Sequence, residues 1–350
     1  MPTKNGIGFV GSVIVDEVSE ILEPGNLVYS DGDRYLTGDD YETEDVQHSI
    51  GGMCLNNSID CVKMGADYPI RVLGKIGSDD NGKRCREVLK KHGLSDDYLV
   101  ETPDHPTSMT HVLYVRGTGE TINRTFRYFF GAMGDFGPDD IDISLLDGLK
   151  IVMMGYGLLM PLFDRIDPGY GTCFGPVLEQ IRARGMTTCL DLVTPKRDRW
   201  WKFERFRKTL CHVDILTIGE DQAEGITGHS HEETAVRALV DEYGVGTAIV
   251  HCGDKGTNYL YSPSTGLISQ RIFNVPADEY AGNTGAGDAF AAGFLHGLHQ
   301  DWAPDRCLKY ATAASAISLG SLTTTDAMRD EAYIVDYMET RPVKLGLLNS

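Results

Sequence analysis

The sequence predicts an α/β fold: a doubly wound, mainly parallel sheet with helices on both faces, carrying a small β-structured appendage. Three observations lead there. Short β-rich runs alternate with longer helix-like segments along the chain. Those runs are almost continuously apolar, as strands covered on both faces are. Two stretches break the rhythm and read as antiparallel β-structure instead.

In chain order, the β-rich runs are "IGFVGSVIVD" (7–16), "IRVLGKIG" (70–77), "KIVMMGYG" (150–157), "TTCLDLV" (187–193), "VDILTIG" (213–219) and "GTAIVHCG" (246–253). Helical patterns include "GPVLEQIRARG" (175–185), "TAVRALVDEYG" (234–244) and "DRCLKYATAASAISLG" (305–320). Strand, helix, strand in succession argues for parallel pairing. The first exceptional stretch, 22–49, is acidic and tyrosine-bearing, with turn signals at Pro24-Gly25 and Asp31-Gly32. The second, 107–131, alternates around a glycine-rich turn. A lid or a dimer contact would account for either. No internal repeat or low-complexity linker divides the chain, so residues 1–350 read as one domain.

Composition narrows the function. A net charge of −19 is the wrong sign for general affinity to nucleic acid, which needs surplus Lys and Arg. No apolar run reaches the roughly 18 residues of a spanning helix, and "MPTKNGIGFVGSVIVDEV" lacks the layout of a signal peptide. The eight cysteines are dispersed with no Cys-x-x-Cys, which favours reduced thiols over a disulfide framework or zinc site. These features together read as a cytoplasmic protein.

Several motifs resemble known sites only in their letters. Gly6-Ile7-Gly8-Phe9-Val10-Gly11 fits G-x-G-x-x-G, but no strand precedes it and a β-branched run follows. A strand with close backbone approach at Gly11 is the better account. Gly77 to Lys83 approaches a P-loop, yet Asp79 and Asp80 would sit where phosphate should. Ser230 and Glu233 stand at capping-box spacing, so the nearby His229 and His231 read as a solvated helix start. Trp200-Trp201, in a basic stretch, read as a tryptophan-anchored surface helix.

"AGNTGAGDAFAAGF" (281–294) carries more chemistry. Gly285 and Gly287 permit a tight turn that exposes successive amides, and small residues at 289, 292, 293 and 297 permit close helix packing. Unpaired amides at a helix start, aided by the helix dipole, hold anions. Asp288 would repel a phosphate, so it is either an N-cap or a general base beside a transferring phosphoryl group.

Taken together, these motifs resemble the PfkB/ribokinase family of sugar and nucleoside kinases over most of the chain. Gly51-Gly52-Met53-Cys54-Leu55-Asn56 is similar to the family's G-G-x-x-x-N segment, which contacts the sugar. Asp16, at the end of the first strand, sits where the family places a sugar-binding acid, and Gly77-x-Asp79-x-x-Gly82 matches a family turn. Gly253, Lys255 and Gly256 correspond to the loop over the nucleotide phosphates, and Gly285-Ala286-Gly287-Asp288 to the G-A-G-D signature with its catalytic base. The resemblance implies a ribokinase-like fold with a β lid at about 17–49 and 107–131, which often also forms a dimer interface. It implies ATP and Mg²⁺, a small sugar or sugar-like substrate, and phosphoryl transfer to a hydroxyl, with Asp288 as base and the 285–288 amides as anion hole.

Three departures stand out. Gly282 replaces an Asp that relatives often use in a monovalent-cation site, which puts a potassium requirement in question. Gly219-Glu220-Asp221-Gln222 replaces the family's N-x-x-E motif, leaving Glu220 or Asp221 to serve near magnesium. The 22–49 segment is long and acidic for a minimal lid. The alternatives are a nucleoside kinase, with Phe126, Tyr128, Phe129 and Phe130 stacking on a base or forming lid core, and a catalytically weak sugar- or nucleotide-binding protein.

Overall fold

The computed structural model describes residues 5–21, 27–30, 33–36, 46–116, 122–195, 197–253 and 256–344. Its larger sheet has nine strands, in the order Gly266–Arg271, Thr257–Ser262, Thr247–His251, Ile215–Gly219, Thr187–Leu192, Ile151–Gly157, Ile7–Gly11, Ile70–Gly77 and Leu99–Thr102. Pairing is parallel except for the hairpin that adds Thr257–Ser262 and Gly266–Arg271 to one edge. The strands bury both faces. Ile7 and Phe9 enter a core with the helices Met53–Lys63, Ala286–His299 and Pro304–Ser318. Val10 enters the opposite core, with Phe174–Ala183, Glu220–Thr227 and Glu232–Asp241.

Strand order reverses on either side of Ile7–Gly11, which pairs with Ile70–Gly77 on one flank and Ile151–Gly157 on the other. In open α/β sheets such a reversal leaves a crevice beyond the carboxyl ends of the strands. Gly11 lies at that end. A side-chain carbon there would fall 1.7 Å from the Gly155 carbonyl oxygen, so only glycine lets the two strand ends meet. The expected close approach is present.

The first β-rich run is not one strand. Beyond Gly11 the chain breaks at Ser12-Val13 and continues as Ile14–Ile21 in a separate four-stranded sheet, ordered Val46–Gly51, Ile14–Ile21, Ser108–Arg116, Ile122–Phe129. Asp16 therefore belongs to this second strand and not to the end of the first. The break is what carries an acid out of the main sheet and over the crevice. A two-stranded hairpin, Leu27–Ser30 with Asp33–Leu36, lies within the acidic stretch.

Three other expectations are corrected. The helix Glu232–Asp241 starts after His231 with no side-chain cap, so Ser230 and Glu233 do not form a capping box. Around Trp200 the chain forms a 3-10 turn, Arg197–Lys202, and a short helix held by the buried Phe203 and Phe206. Trp201 stays 51% exposed under Arg205, whereas Trp200 is half-buried and packs edge-on against Phe203, so only one of the two tryptophans anchors the segment. Phe129 and Phe130 are exposed as well, and are not core of the small sheet.

The Gly77–Gly82 turn is a helix start. Asp79 caps Asp80–Lys91, accepting from the Gly82 amide at 2.8 Å and from the Thr107 amide at 2.9 Å. Partial burial works to raise its carboxyl, but the hydrogen bonds from Thr107 and Gly82 prevail and hold it below its ordinary value.

Candidate active site

The helix Ala286–His299 begins at Gly285, whose φ of 81° is left-handed and whose added side chain would meet the Thr324 carbonyl oxygen at 2.8 Å. No side chain caps this end, and the first-turn amide of Gly287 has no acceptor within the helix. Gly293 and Gly297 let the same helix press against Pro304–Ser318: a carbon added at Gly293 would lie 3.1 Å from the Ala311 Cα. Close packing fixes the helix, and with it the direction of its first turn.

Asp288 does not cap the helix. Its side chain turns inward and accepts from Asn56 Nδ2 at 2.8 Å, Asn57 Nδ2 at 3.2 Å and the Tyr156 hydroxyl at 2.6 Å. Asn56 and Asn57 ride on Met53–Lys63, and Tyr156 on Ile151–Gly157. Three donors suit an ionised acceptor.

Gly51 and Gly52 explain how that helix reaches the site. A side-chain carbon at Gly51 would sit 2.1 Å from Asp16 Oδ2, and one at Gly52 would sit 2.6 Å from the Ser12 carbonyl oxygen. Ser12 in turn accepts from the first amides of the helix, Met53 N to Oγ at 2.9 Å and Cys54 N to the carbonyl at 3.1 Å. The strand break thus caps the helix and seats Asp16.

Asp16, Gly52, Asn56, Thr110, Phe126, Tyr128, Tyr156, Asp191, Asn283 and the 285–288 turn line one cavity of about 350 Å³. Burial pushes the Asp16 carboxyl up to about 7, Asp288 adds repulsion, and a hydrogen bond from Thr110 opposes both. Burial and Asp288 also hold Asp191 well above the carboxylate range. Behind Asn56 and Asn57, the fully buried Asp60 is held high by burial and by Asp288, against a pull from Lys63. Neither oxygen of Asp60 has a hydrogen-bond partner among the described residues.

A second cavity of about 120 Å³ adjoins the first, and both touch His251 and Gly287. Its walls include Gly253, Asn258, Phe273, Ala286, Phe290 and Ala316. Shielding from water pushes His251 down to about 4, so the imidazole is neutral between the two spaces.

The departures have physical counterparts. A side-chain carbon at Gly282 would lie 2.8 Å from the Tyr114 hydroxyl. That hydroxyl pairs with Thr284 Oγ1, accepts from the Thr284 amide at 3.2 Å and is fully buried. A phenol fills the space that an acidic side chain at 282 would need, so the residues present do not fit a monovalent cation held by a 282 carboxylate. Gln222 accepts from the Gly219 amide and donates to the Leu192 carbonyl at 2.8 Å, tying a helix start to a strand end. Glu220 lies beside Gly253, with Oε1 3.7 Å from where a side-chain carbon there would be. Magnesium takes most ligands from phosphates and water and needs one or two carboxylates, a donor set Glu220 fits. Gly256, with φ of 111°, turns the chain after Thr247–His251 but does not line either cavity. Lys255 lies outside the described residues.

Sequence reasoning did not single out Tyr156, Asp191, Asn57, Asp60, Tyr114 or His251. Four of them sit in runs that read simply as strands. The adjacent Asn56-Asn57 pair and an acid inside the apolar pattern "CLNNSIDCV" were the available signals.

The geometry is that of a two-chambered site with an acid and an uncapped helix start where the chambers meet. The profile of pfkB family carbohydrate kinases matches residues 26–331, and the chain belongs to that family. A 5-dehydro-2-deoxygluconokinase of Geobacillus kaustophilus is 24% identical over 85% of this chain and 87% of its own. An ATP-dependent 6-phosphofructokinase of Thermoanaerobacterium thermosaccharolyticum is 26% identical over 88% and 90%. Among solved structures, the Arabidopsis thaliana ribokinase complexed with ribose and ATP superposes with a TM-score of 0.73. It covers 96% of this chain and 99% of that one at 22% identity, which establishes the shared ribokinase-like fold.

Asp60 gives a test of the buried charge. A carboxyl protonated when folded and ionised when unfolded loses stability as pH rises above the unfolded value. Asp60→Asn removes that loss. Its stability relative to the parent should therefore grow between pH 5 and pH 8, by up to ~1.4 kcal/mol per pH unit. Denaturant unfolding at the two pH values checks this, and a constant offset would show that Asp60 is ionised in the folded protein.

Proposed function

We propose that this chain is an ATP-dependent kinase that phosphorylates a hydroxyl of a sugar or sugar-like substrate. The observation that carries the reading is the Asp288 carboxylate, held by three donors in the uncapped first turn of its own helix. The substrate occupies the larger cavity, where Asp16, Gly52 and Asn56 form a polar wall and Gly51, behind Asp16, leaves room for its carboxylate. ATP occupies the smaller one, against Gly253 and Phe290, and the sequence correspondence assigns Lys255 and Gly256 to its phosphate loop. The net charge of −19 does not suit a nucleic-acid partner.

Asp288 takes the proton of the attacking hydroxyl. A bond forms from that oxygen to the γ-phosphorus as the bond from the γ-phosphorus to the β-bridging oxygen breaks, and ADP departs. Within the 285–288 turn, the Gly287 amide faces the charge that gathers on the phosphoryl oxygens, while the Ala286 amide is taken by the Asn283 carbonyl at 3.4 Å. Magnesium, when bound, neutralises phosphate charge, and Glu220 is the residue placed to hold it. The four-stranded sheet acts as the lid: Ile14, Asp16, Thr110, Phe126 and Tyr128 bring it over the cavity and keep water from the γ-phosphate.

Phe126 and Tyr128 stack with ring centres 5.8 Å apart and line the same cavity, which favours a nucleoside as the second reading. The exposed Val46, Tyr128 and Phe129 on the lid suit a contact with a second copy. Eight free cysteines accord with the reducing cytoplasm, and among the described residues no helix is long and apolar enough to cross a membrane.

Three outcomes are expected. Asp288→Ala should lower substrate-dependent ADP release by about 10²–10⁴-fold with the fold intact; turnover close to that of the parent would remove Asp288 as base. Ionised Asp16 accepts substrate hydroxyls best, so the KM for the sugar should fall as pH rises through about 7. That dependence should vanish in Asp16→Asn. Replacing potassium by tetramethylammonium should leave turnover unchanged, whereas Tyr114→Phe, which strips Thr284 of its partner, should cost about 5-fold in kcat. Strong activation of the parent by potassium would show that Tyr114 does not substitute for the ion.

A further inference from the structure

The substrate cavity has an unequal set of hydrogen-bonding groups. Asp16, Asp191 and Asp288 all face it, each at least nine-tenths buried. Two further acceptors, Asn56 Oδ1 and Asn283 Oδ1, are buried on its wall with no partner among the described residues. Asn56 is not free to turn its amide around, because its Nδ2 is committed to Asp288. Among the described residues the lining contains no lysine or arginine, and its histidine is neutral.

Asp191 stands apart within this set. Asp288 is held by three donors and Asp16 by Thr110. Asp191 is the last residue but one of the strand Thr187–Leu192 and its carboxyl accepts from the Leu192 amide; among the described residues no side chain pairs with it. Unmet buried acceptors are costly, and a ligand that supplies donors recovers that cost.

Resting on the kinase reading above, we infer that the substrate is a donor-rich, uncharged or amine-bearing polyol, and that Asp191 and Asn283 read its hydroxyl or amino groups. A sugar acid or sugar phosphate brings only acceptors and negative charge at its anionic end. Set among three carboxyl groups, and next to the γ-phosphate of ATP, that end would meet no cation among the described residues. Selectivity here comes from what the cavity refuses as much as from what it holds.

The test uses the full chain with Mg-ATP and matched panels: neutral hexoses, pentoses, inositols and nucleosides; amino sugars; sugar acids; and sugar monophosphates. ADP release is measured for each, and calorimetry reads binding of the same compounds without turnover. A neutral or amine-bearing compound should exceed its acid or phosphate counterpart in kcat/KM by about 10-fold or more. Asp191→Asn, nearly isosteric, should narrow that ratio by readmitting anions. Best turnover or tightest binding of an acid or phosphate overturns the inference, as does an unchanged ratio in a folded Asp191→Asn. Tight binding of a neutral polyol with no ADP release from any compound would instead overturn the kinase reading and leave the substrate class standing.

Discussion

One carboxylate organises the molecule. Asp288 accepts hydrogen bonds from two asparagines on Met53–Lys63 and from Tyr156 on Ile151–Gly157. These three donors come from elements more than 130 residues away in the chain, and each reaches the site for its own reason. Met53–Lys63 is brought in by Gly51-Gly52, which tolerate the crowding of Asp16 and Ser12. Tyr156 arrives because Gly11 allows Gly155 to approach the first strand. Ala286–His299 is held by small residues packed on Pro304–Ser318. Widen any of these contacts by the size of a methyl group and the base loses its orientation. The glycines around the crevice therefore serve chemistry through geometry.

The same carboxylate sets the charge of its surroundings. Its repulsion adds to burial in holding Asp16, Asp60 and Asp191 above their ordinary range. Burial and that repulsion favour the neutral form of these three acids, which limits the charge the oxygen-rich cavity carries. On the proposed kinase reading, the Gly287 amide between the two cavities faces the opposite problem, phosphate oxygens arriving from the second cavity. Backbone dipoles answer it without placing a mobile cation next to the base.

What could be read from the sequence was local. Gly51-Gly52, Gly285–Asp288 and the alternating strand and helix runs announce themselves because turns and helix starts need particular residues at fixed spacing. Asp16 was recognisable as a candidate, but its strand was not, since nothing in "IGFVGSVIVD" marks the break at Ser12-Val13. Tyr156 and Asp191 were hidden because strand ends gain meaning only from their neighbours in the sheet, and those neighbours come from distant segments. The aromatic run divided for the same reason: Phe126 and Tyr128 share the face turned to the cavity, while Phe129 points elsewhere.

Gly282 shows how a missing side chain acquires a positive explanation. On the page of the sequence it is a deletion, an acid lost ahead of the anion-holding turn. In the fold its place is taken by Tyr114, which reaches from the lid strand Ser108–Arg116 to Thr284. An ion at such a place would stabilise the turn whether or not the lid were seated. A tyrosine carried by the lid cannot, because its hydroxyl meets Thr284 only when the strand is in position. On the proposed kinase reading, the tyrosine couples two events that an ion would leave separate: seating of the small sheet over the substrate, and ordering of the turn that meets the phosphoryl group. Such coupling would exclude water as that turn becomes ordered.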